Sequence, residues 1–198
     1  WDDLRRRVEP ADRRCYAFFH PAMPDDPLIF VEVALVRGIP KSVQEILAEN
    51  REILDSRSAD TAVFYSISNC QIGLRGVSFG NSLIKQVVDD LQAETKSIST
   101  FVTLSPIPGL NRWLRQSIDQ QPDGAVAAED IEKAIQSGEL GELKEQSHGL
   151  RRQAANYLVT QKDPKGFPLD PVARFHLNNG AMVHDIRAGA DLSANGIR

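Results

Sequence analysis

Cysteine is scarce in this sequence: there are only two, Cys15 and Cys70, among 198 residues. Two cysteines cannot build a disulfide framework, and no CxxC motif or Cys/His spacing indicates a zinc or other metal site. Both cysteines lie in apolar segments rich in strand-forming residues, which predicts buried free thiols. Free thiols are typical of proteins in a reducing cytosol, so we expect a cytoplasmic location.

The sequence also lacks an excess of positive charge. It has 23 Lys and Arg residues and 27 Asp and Glu residues, which give a formal net charge of -4. A general nucleic-acid binder needs basic surface to neutralise phosphates, so nucleic acid is not an expected partner. A site for an anionic small molecule remains compatible with this charge, because a local pocket can be positive on an acidic protein.

Long hydrophobic runs are absent as well. The longest, residues 28–36, contains Glu32 and is far shorter than the roughly 20 residues that span a bilayer. No signal-peptide pattern follows Trp1, so we expect no membrane partner. The start at Trp1 instead of a methionine predicts that the chain is a fragment of a longer protein.

Four segments are apolar and rich in β-branched or aromatic residues, as strands are. They are residues 14–19, 28–36, 61–68 and 100–104. A turn-rich link joins the first two and predicts an antiparallel pair. A helix over residues 82–94 separates the last two, and this βαβ unit predicts parallel strands.

This helix carries an apolar stripe on one face. The stripe consists of Leu83, Ile84, Val87, Val88 and Leu91. The second half of the chain has helical periodicity, including residues 150–159. We therefore interpret residues 1–198 as one α/β (α+β) domain, a mixed sheet flanked by helices with a helical segment inserted in its second half.

A glycine-containing loop precedes the helix over residues 82–94. It comprises Arg75, Gly76, Val77, Ser78, Phe79, Gly80 and Asn81. A helix N-terminus has unpaired N–H groups and the positive end of the dipole, so this loop is suited to a phosphate. The glycines leave room for the ligand, Arg75 adds charge, and Asn81 is predicted to be the N-cap. An ordinary βα turn is the alternative, because neither GxGxxG nor a P-loop is present.

Ser105 directly follows the fourth predicted strand and is bracketed by Pro106 and Pro108. Because proline fixes its own φ and restricts the preceding residue, the turn is stiff and holds the serine hydroxyl in one place. Ligands of open α/β sheets bind at the C-terminal ends of strands, where both Ser105 and the glycine loop lie. No GxSxG motif marks Ser105 as a hydrolase nucleophile, and an ordinary Ser-Pro turn is the alternative.

Among the four histidines, His176 stands in an apolar stretch that ends in two asparagines and a glycine. This setting predicts a partly buried imidazole that can donate a proton near neutral pH, although a structural histidine is the alternative. His20 is predicted to be a hairpin-turn residue, His148 to be solvated, and His184 to lie on a strand surface.

Several strings of residues together resemble the malonyl-CoA decarboxylase family, nearly from end to end of the chain. They are Arg13-Arg-Cys-Tyr-Ala-Phe-Phe-His, Phe64-Tyr-Ser-Ile-Ser, Gly73-Leu-Arg-Gly-Val-Ser-Phe-Gly, Leu83-Ile-Lys-Gln-Val-Val, Leu104-Ser-Pro-Ile-Pro-Gly-Leu and Asp170-Pro-Val-Ala-Arg-Phe-His-Leu-Asn-Asn-Gly-Ala. The resemblance implies a GCN5-related acetyltransferase-like fold. It also implies an enzyme, a carboxy-lyase that converts malonyl-CoA to acetyl-CoA and CO2 in fatty-acid or malonate metabolism, without metal, biotin or another cofactor.

By the same resemblance, Ser105 and His176 correspond to the family's catalytic residues. Residues 75–81, together with these two, correspond to its malonyl-CoA site. The family's N-terminal helical domain, through which its members form homo-oligomers, is expected outside this chain, and the catalytic region is expected to continue past Arg198. Two other functions stay open: an acyl-CoA-dependent N-acyltransferase on the same fold, and a non-catalytic acyl-CoA-binding domain.

Overall fold

The computed structural model describes residues 2–74, 79–116, 140–193 and 196. The chain divides into two compact units, Trp1–Leu104 and Ser105–Arg198. The first unit contains the sheet and the second unit is built from helices, so each is described by itself.

A four-stranded mixed sheet forms the centre of the first unit. Its strands are β1 (Arg13–His20), β2 (Met23–Val36), β3 (Thr61–Asn69) and β4 (Thr100–Thr103). They are ordered β1-β2-β3-β4, with β1–β2 and β2–β3 antiparallel and β3–β4 parallel. The predicted antiparallel pair and the predicted parallel βαβ unit are both confirmed.

Three α-helices accompany the sheet in the described part of this unit. They are α1 (Asp2–Val8), α2 (Val43–Leu47) and α3 (Phe79–Glu94). Single 3-10 turns occur at Ser56–Ser58 and Ile72–Leu74. Helix α3 forms the crossover between β3 and β4, as a parallel pair requires.

The main core lies between α3 and one face of the sheet. Val31, Val33 and Leu35 alternate along β2, so all three point to the same face and are fully buried. The predicted stripe of α3 packs against them: Leu83, Val87 and Leu91 are buried, and Ile84 and Val88 lie at the margin. Burying each such side chain contributes roughly 1.5–3 kcal/mol, so this face fixes where α3 lies on the sheet.

The first hairpin is longer than predicted, because β2 begins at Met23 and not at residue 28. Residues 23–27 were expected to be a turn on account of their prolines and aspartates. They instead continue an irregular ladder in which Phe19 pairs with Pro27 and His20 with Met23, with register shifts on both sides of Phe19. Bulges accommodate proline in a strand, which explains the difference. His20 lies at the turn as predicted, and its Nδ1 accepts a hydrogen bond from the Ala22 N–H (3.1 Å).

The prediction that both cysteines are buried is wrong, since Cys15 and Cys70 are exposed free thiols. On β1 the neighbouring Tyr16 and Phe18 pack against the core. Because successive strand residues point to opposite faces, Cys15 points away from that core. Cys70 follows the last residue of β3 and lies beyond the packed part of the sheet. An apolar composition indicated the strands correctly but not the face each side chain takes.

The second unit contains α4 (Leu110–Gln116), α5 (Leu140–Thr160) and α6 (Pro171–Asn178). Trp113, Leu114 and Tyr157 form its buried cluster, in which the Trp113 and Tyr157 ring centroids are 5.4 Å apart. The helix predicted over residues 150–159 is confirmed within α5, whereas residues 117–139 are outside the described part. No helix in the described ranges is both long and apolar enough to cross a membrane.

Candidate active site

Ser105 opens the second unit, in the segment Ser105-Pro-Ile-Pro-Gly109, which we call the Ser105 turn. Leu104, the residue before it, donates its N–H to the Phe64 carbonyl (3.0 Å). At the other end of the turn, Leu110 N–H bonds the Ile107 carbonyl (3.0 Å) and begins α4. Two prolines and this helix start restrict the backbone, while the Ser105 side chain remains exposed. The turn therefore presents a hydroxyl from a stiff support.

Gly109 closes the Ser105 turn at a place where no side chain fits. A Cβ built on Gly109 would lie 2.0 Å from the Tyr157 Oη and 3.5 Å from the Asp170 Oδ2. The Gly109 N–H donates to the same Asp170 Oδ2 (3.2 Å). Glycine is required here by close approach, because the Tyr157 hydroxyl occupies the space that a methyl group would take.

His176 is carried by α6, a helix with strong start signals. Asp170 is its N-cap and accepts hydrogen bonds from the N–H groups of Val172 (3.0 Å) and Ala173 (2.9 Å), and Pro171 occupies the first turn. Both features stabilise a helix start. The imidazole is half-buried and meets the Phe175 ring edge-on, with centroids 5.0 Å apart.

The structure brings the two predicted residues together, because Ser105 Oγ and His176 Nε2 are 3.0 Å apart. This is a normal hydrogen-bond distance between residues 71 positions apart in the sequence. Either the hydroxyl donates to Nε2 or an Nε2–H donates to the hydroxyl, according to the tautomer. We call this arrangement the Ser–His pair.

Burial lowers the pKa of His176 below its usual 6.5. Among the described residues, no charged group contributes to this lowering of the pKa. The imidazole is therefore neutral at pH 7 in the free protein. In a Ser–His–Asp arrangement a carboxylate holds the ring at Nδ1, whereas the hydrogen bond described for the His176 ring joins Nε2 to Ser105.

The predicted phosphate loop is only partly described. Residues 75–78 (Arg75, Gly76, Val77 and Ser78) lie outside the described residues, so their predicted ligand role stays a prediction. Phe79, Gly80 and Asn81 form the start of α3. The prediction that Asn81 is the N-cap is wrong, because the helix begins two residues earlier. Gly80 and Asn81 lie in the first turn of α3. They are tolerated there because the N–H groups of a helix's first turn have no intrahelical acceptor.

The other histidines differ from His176. His148 is exposed on α5, as predicted. His184 is exposed too, but residues 181–187 have no regular structure, so the predicted strand surface at His184 is wrong. The apolar piece before it is short, and in the described residues no neighbouring strand pairs with it.

Two residues around the Ser–His pair were not predicted from the sequence. Asp170 could have been found, because Asp-Pro before an apolar periodic segment is a helix-start signal. Tyr157 could not, because its contact with Gly109 joins residues far apart in the chain and depends on the packing of the helical cluster.

The described features define an α/β protein with a four-stranded mixed sheet flanked by helices, and with a Ser–His pair carried by a stiff turn and a capped helix. Comparison with known proteins narrows this class. The chain belongs to the malonyl-CoA decarboxylase family, because the family model "Malonyl-CoA decarboxylase C-terminal domain" matches residues 1–198.

Individual relatives agree with this assignment. The chain is 39% identical, over its whole length, to the mitochondrial malonyl-CoA decarboxylase of Anser anser anser and covers 44% of that protein. The crystal structure of malonyl-CoA decarboxylase from Rhodopseudomonas palustris matches with TM-score 0.82 and 47% identity, over 100% of this chain and 47% of that one. The structure from Agrobacterium vitis matches with TM-score 0.78 and 49% identity, over 91% and 46%.

These matches confirm the predicted fold class and family. The chain spans about half the length of the relatives it matches.

Proposed function

We propose that this chain is the catalytic part of a malonyl-CoA decarboxylase, which releases CO2 from malonyl-CoA and leaves acetyl-CoA. The observation that supports this proposal most is the 3.0 Å approach of Ser105 Oγ to His176 Nε2 in a chain of this family. A hydroxyl can orient a carboxylate and an imidazole can deliver a proton, and the reaction requires both tasks.

The reaction breaks the bond between the carboxylate carbon and the α-carbon. The electron pair of that bond moves into the thioester to give an enolate, and CO2 leaves. The α-carbon then takes up one proton to become the methyl group of acetyl-CoA. The enzyme must therefore stabilise negative charge at the thioester oxygen and supply one proton per turnover.

We assign the Ser105 hydroxyl to the malonyl group, where it hydrogen-bonds and orients the carboxylate. His176 is the proton donor to the enolate carbon. Since burial keeps His176 neutral in the free protein, the acid form must arise when substrate binds. The negative carboxylate of malonyl-CoA, placed near the ring, favours the imidazolium, which takes its proton from solvent. A variant of this assignment, in which Ser105 also accepts a proton, uses the same pair.

Remote binding energy is assigned to the loop of residues 75–81. The N-terminus of α3 and Arg75 would hold the pyrophosphate of coenzyme A, and this remote binding energy would help to position the malonyl end for reaction. This part of the proposal is supported by the sequence pattern and by the start of α3 at Phe79, within the same segment.

The test is CO2 release from malonyl-CoA by the full-length protein, with no amine acceptor present. Ser105→Ala and His176→Asn are each expected to lower kcat by about 100-fold or more. His184→Asn is the matched control, because His184 is an exposed histidine of the same unit. A His176→Asn enzyme with full activity would contradict the assignment. Turnover that needs an added amine would indicate an N-acyltransferase, and tight binding without turnover a binding domain.

The proposal extends to the working state of the protein. We expect it to need no metal, biotin or other cofactor, so that dialysis against a chelator leaves CO2 release unchanged. We expect a homo-oligomer, formed through the family's N-terminal helical domain and measurable by light scattering on the full-length protein, and neither nucleic acid nor membrane as a partner. The exposed free thiols of Cys15 and Cys70 fit a reducing cytoplasm. Because the Anser relative is named mitochondrial, cell fractionation is the test of compartment.

A further inference from the structure

The carboxyl group of Asp170 contacts both segments that carry the Ser–His pair. Asp170 is only 1% exposed. Its Oδ1 accepts from the Val172 and Ala173 N–H groups at 3.0 and 2.9 Å, at the start of α6. Its Oδ2 accepts from the Gly109 N–H at 3.2 Å, at the end of the Ser105 turn. One buried side chain therefore links the helix that carries His176 to the turn that carries Ser105.

Both links act on short, stiff pieces of chain. Between Ser105 and Gly109 lie Pro-Ile-Pro, in which two φ angles are fixed, so movement at Gly109 is transmitted to Ser105. Helix α6 has eight residues and carries His176 in its last turn, so a tilt at its N-cap displaces the imidazole. The distance between Ser105 and His176 depends on how these two pieces are held.

Tyr157 of α5 packs behind the same point. Its side chain is 3% exposed, its ring contacts Trp113 of α4, and its hydroxyl occupies the space beside Gly109. Burial, followed by the charge of Asp170, raises the pKa of Tyr157, which indicates that the phenol and the carboxyl group lie close together. Helices α4, α5 and α6 thus meet around Gly109 and Asp170.

We propose that Asp170 is a positioning residue, which sets the distance between Ser105 Oγ and His176 Nε2 by holding the Ser105 turn and the start of α6 with one carboxyl group. The inference rests on the proposed function. Without the Gly109 link, a relaxation of about 1 Å would take the pair beyond hydrogen-bond distance. Misplacement on that scale lowers enzymatic rates by about 100-fold.

Asp170→Ser separates the two links, because serine is a good N-cap but is too short to reach the Gly109 N–H. In the full-length protein, we expect kcat to fall about 10- to 100-fold and the KM for malonyl-CoA to change by less than about threefold. Asp170→Asn is the second variant, should the serine variant fold poorly. In either orientation of the new amide, its NH2 group faces a backbone N–H from which the Asp170 carboxyl group accepts a hydrogen bond.

Asp163→Ser is the matched control. The Asp163 carboxyl group accepts from the N–H groups of Lys165 and Phe167 and from Arg174 of α6, but its described contacts do not include the Ser105 turn. It therefore supports the same helix from another side. We expect Asp163→Ser to lower stability comparably while its kcat, per folded molecule, stays within about twofold of the wild type.

A double-mutant cycle separates positioning from a purely structural role. In the Ser105→Ala background the pair is already broken, so Asp170→Ser should lower kcat by less than about threefold more. If Asp170 only stabilises the fold, its full effect appears in both backgrounds. The positioning role would be overturned if the kcat losses of Asp170→Ser and Ser105→Ala multiply in the double variant, or if Asp170→Ser and Asp163→Ser lose kcat equally. Neither result would overturn the proposed function. A wild-type protein that releases no CO2 would overturn the proposed function and this inference with it.

Discussion

Replacing Gly109 by alanine should damage both stability and activity, because the added methyl group has no space. The new Cβ would lie 2.0 Å from the Tyr157 Oη, whereas real Cβ contacts are essentially never under 3.0 Å. Some atom must therefore move by at least 1.0 Å, the difference between these two values. Tyr157 is 3% exposed and packs on Trp113, so its phenol ring is held in place. The Ser105 turn must therefore move.

The expected cost of such overpacking is about 1–3 kcal/mol in the free energy of unfolding. A 1 Å displacement of the turn would also stretch the 3.0 Å Ser105–His176 contact out of hydrogen-bond range. We therefore expect kcat for CO2 release to fall by about 100-fold. Urea unfolding measures the first effect, and steady-state kinetics on malonyl-CoA the second.

Tyr157→Phe provides the decisive comparison. It removes the hydroxyl oxygen and leaves the ring carbon at 3.0 Å as the nearest atom to the new methyl group. The double variant Gly109→Ala/Tyr157→Phe should recover part of the activity that Gly109→Ala loses. Gly73→Ala, where nothing lies within 4 Å of the added Cβ, controls for the backbone effect on stability. Full stability in Gly109→Ala, or no recovery in the double variant, would refute the reasoning.

Three further predictions concern stability. Because burial depresses the His176 pKa, its contribution is fully present above pH 6.5 and declines as pH falls through the folded value; urea midpoints between pH 7 and 5 should therefore drop more for wild type than for His176→Asn. The Asp12 carboxyl group is buried and bonds the Arg51 guanidinium at 2.5 and 2.9 Å, so Asp12→Ala should cost about 3–5 kcal/mol, and a loss under 1 kcal/mol would contradict this account. Leu91→Ala in the α3 core should cost about 2–5 kcal/mol by the same measurement, and Ile84→Ala, at the margin, clearly less.

The sequence predicted the sheet and its crossover helix because their signals are local. The α3 stripe repeats with helical spacing, and the segment before Ser105 is β-branched and apolar, so burial selects the same structure that propensity favours. The exposure of Cys15 was not predictable in this way, since a strand pattern that is apolar throughout does not say which face is covered. The start of α3 at Phe79 was missed because glycine and asparagine resemble a cap.

In the candidate site, too, local sequence signals predict some features and tertiary packing determines the others. Ser105 and His176 were selected through the resemblance of their motifs to the family, but their approach to 3.0 Å depends on how the helices of the second unit pack. Asp170 also has two kinds of partner. Its capping of α6 is a local signal, whereas its bond to Gly109 joins residues 61 positions apart and no local pattern predicts it.

The separation of 71 positions between Ser105 and His176 also has a kinetic consequence. Bringing the ends of such a loop together costs about 4 kcal/mol of chain entropy plus a constant, which the contacts of the intervening helices must offset before the pair forms. The hydrogen bond between the two residues is therefore expected among the late events of folding. Recovery of CO2 release after dilution from urea should accordingly lag behind recovery of helical circular dichroism, so that activity reports completed folding of the second unit.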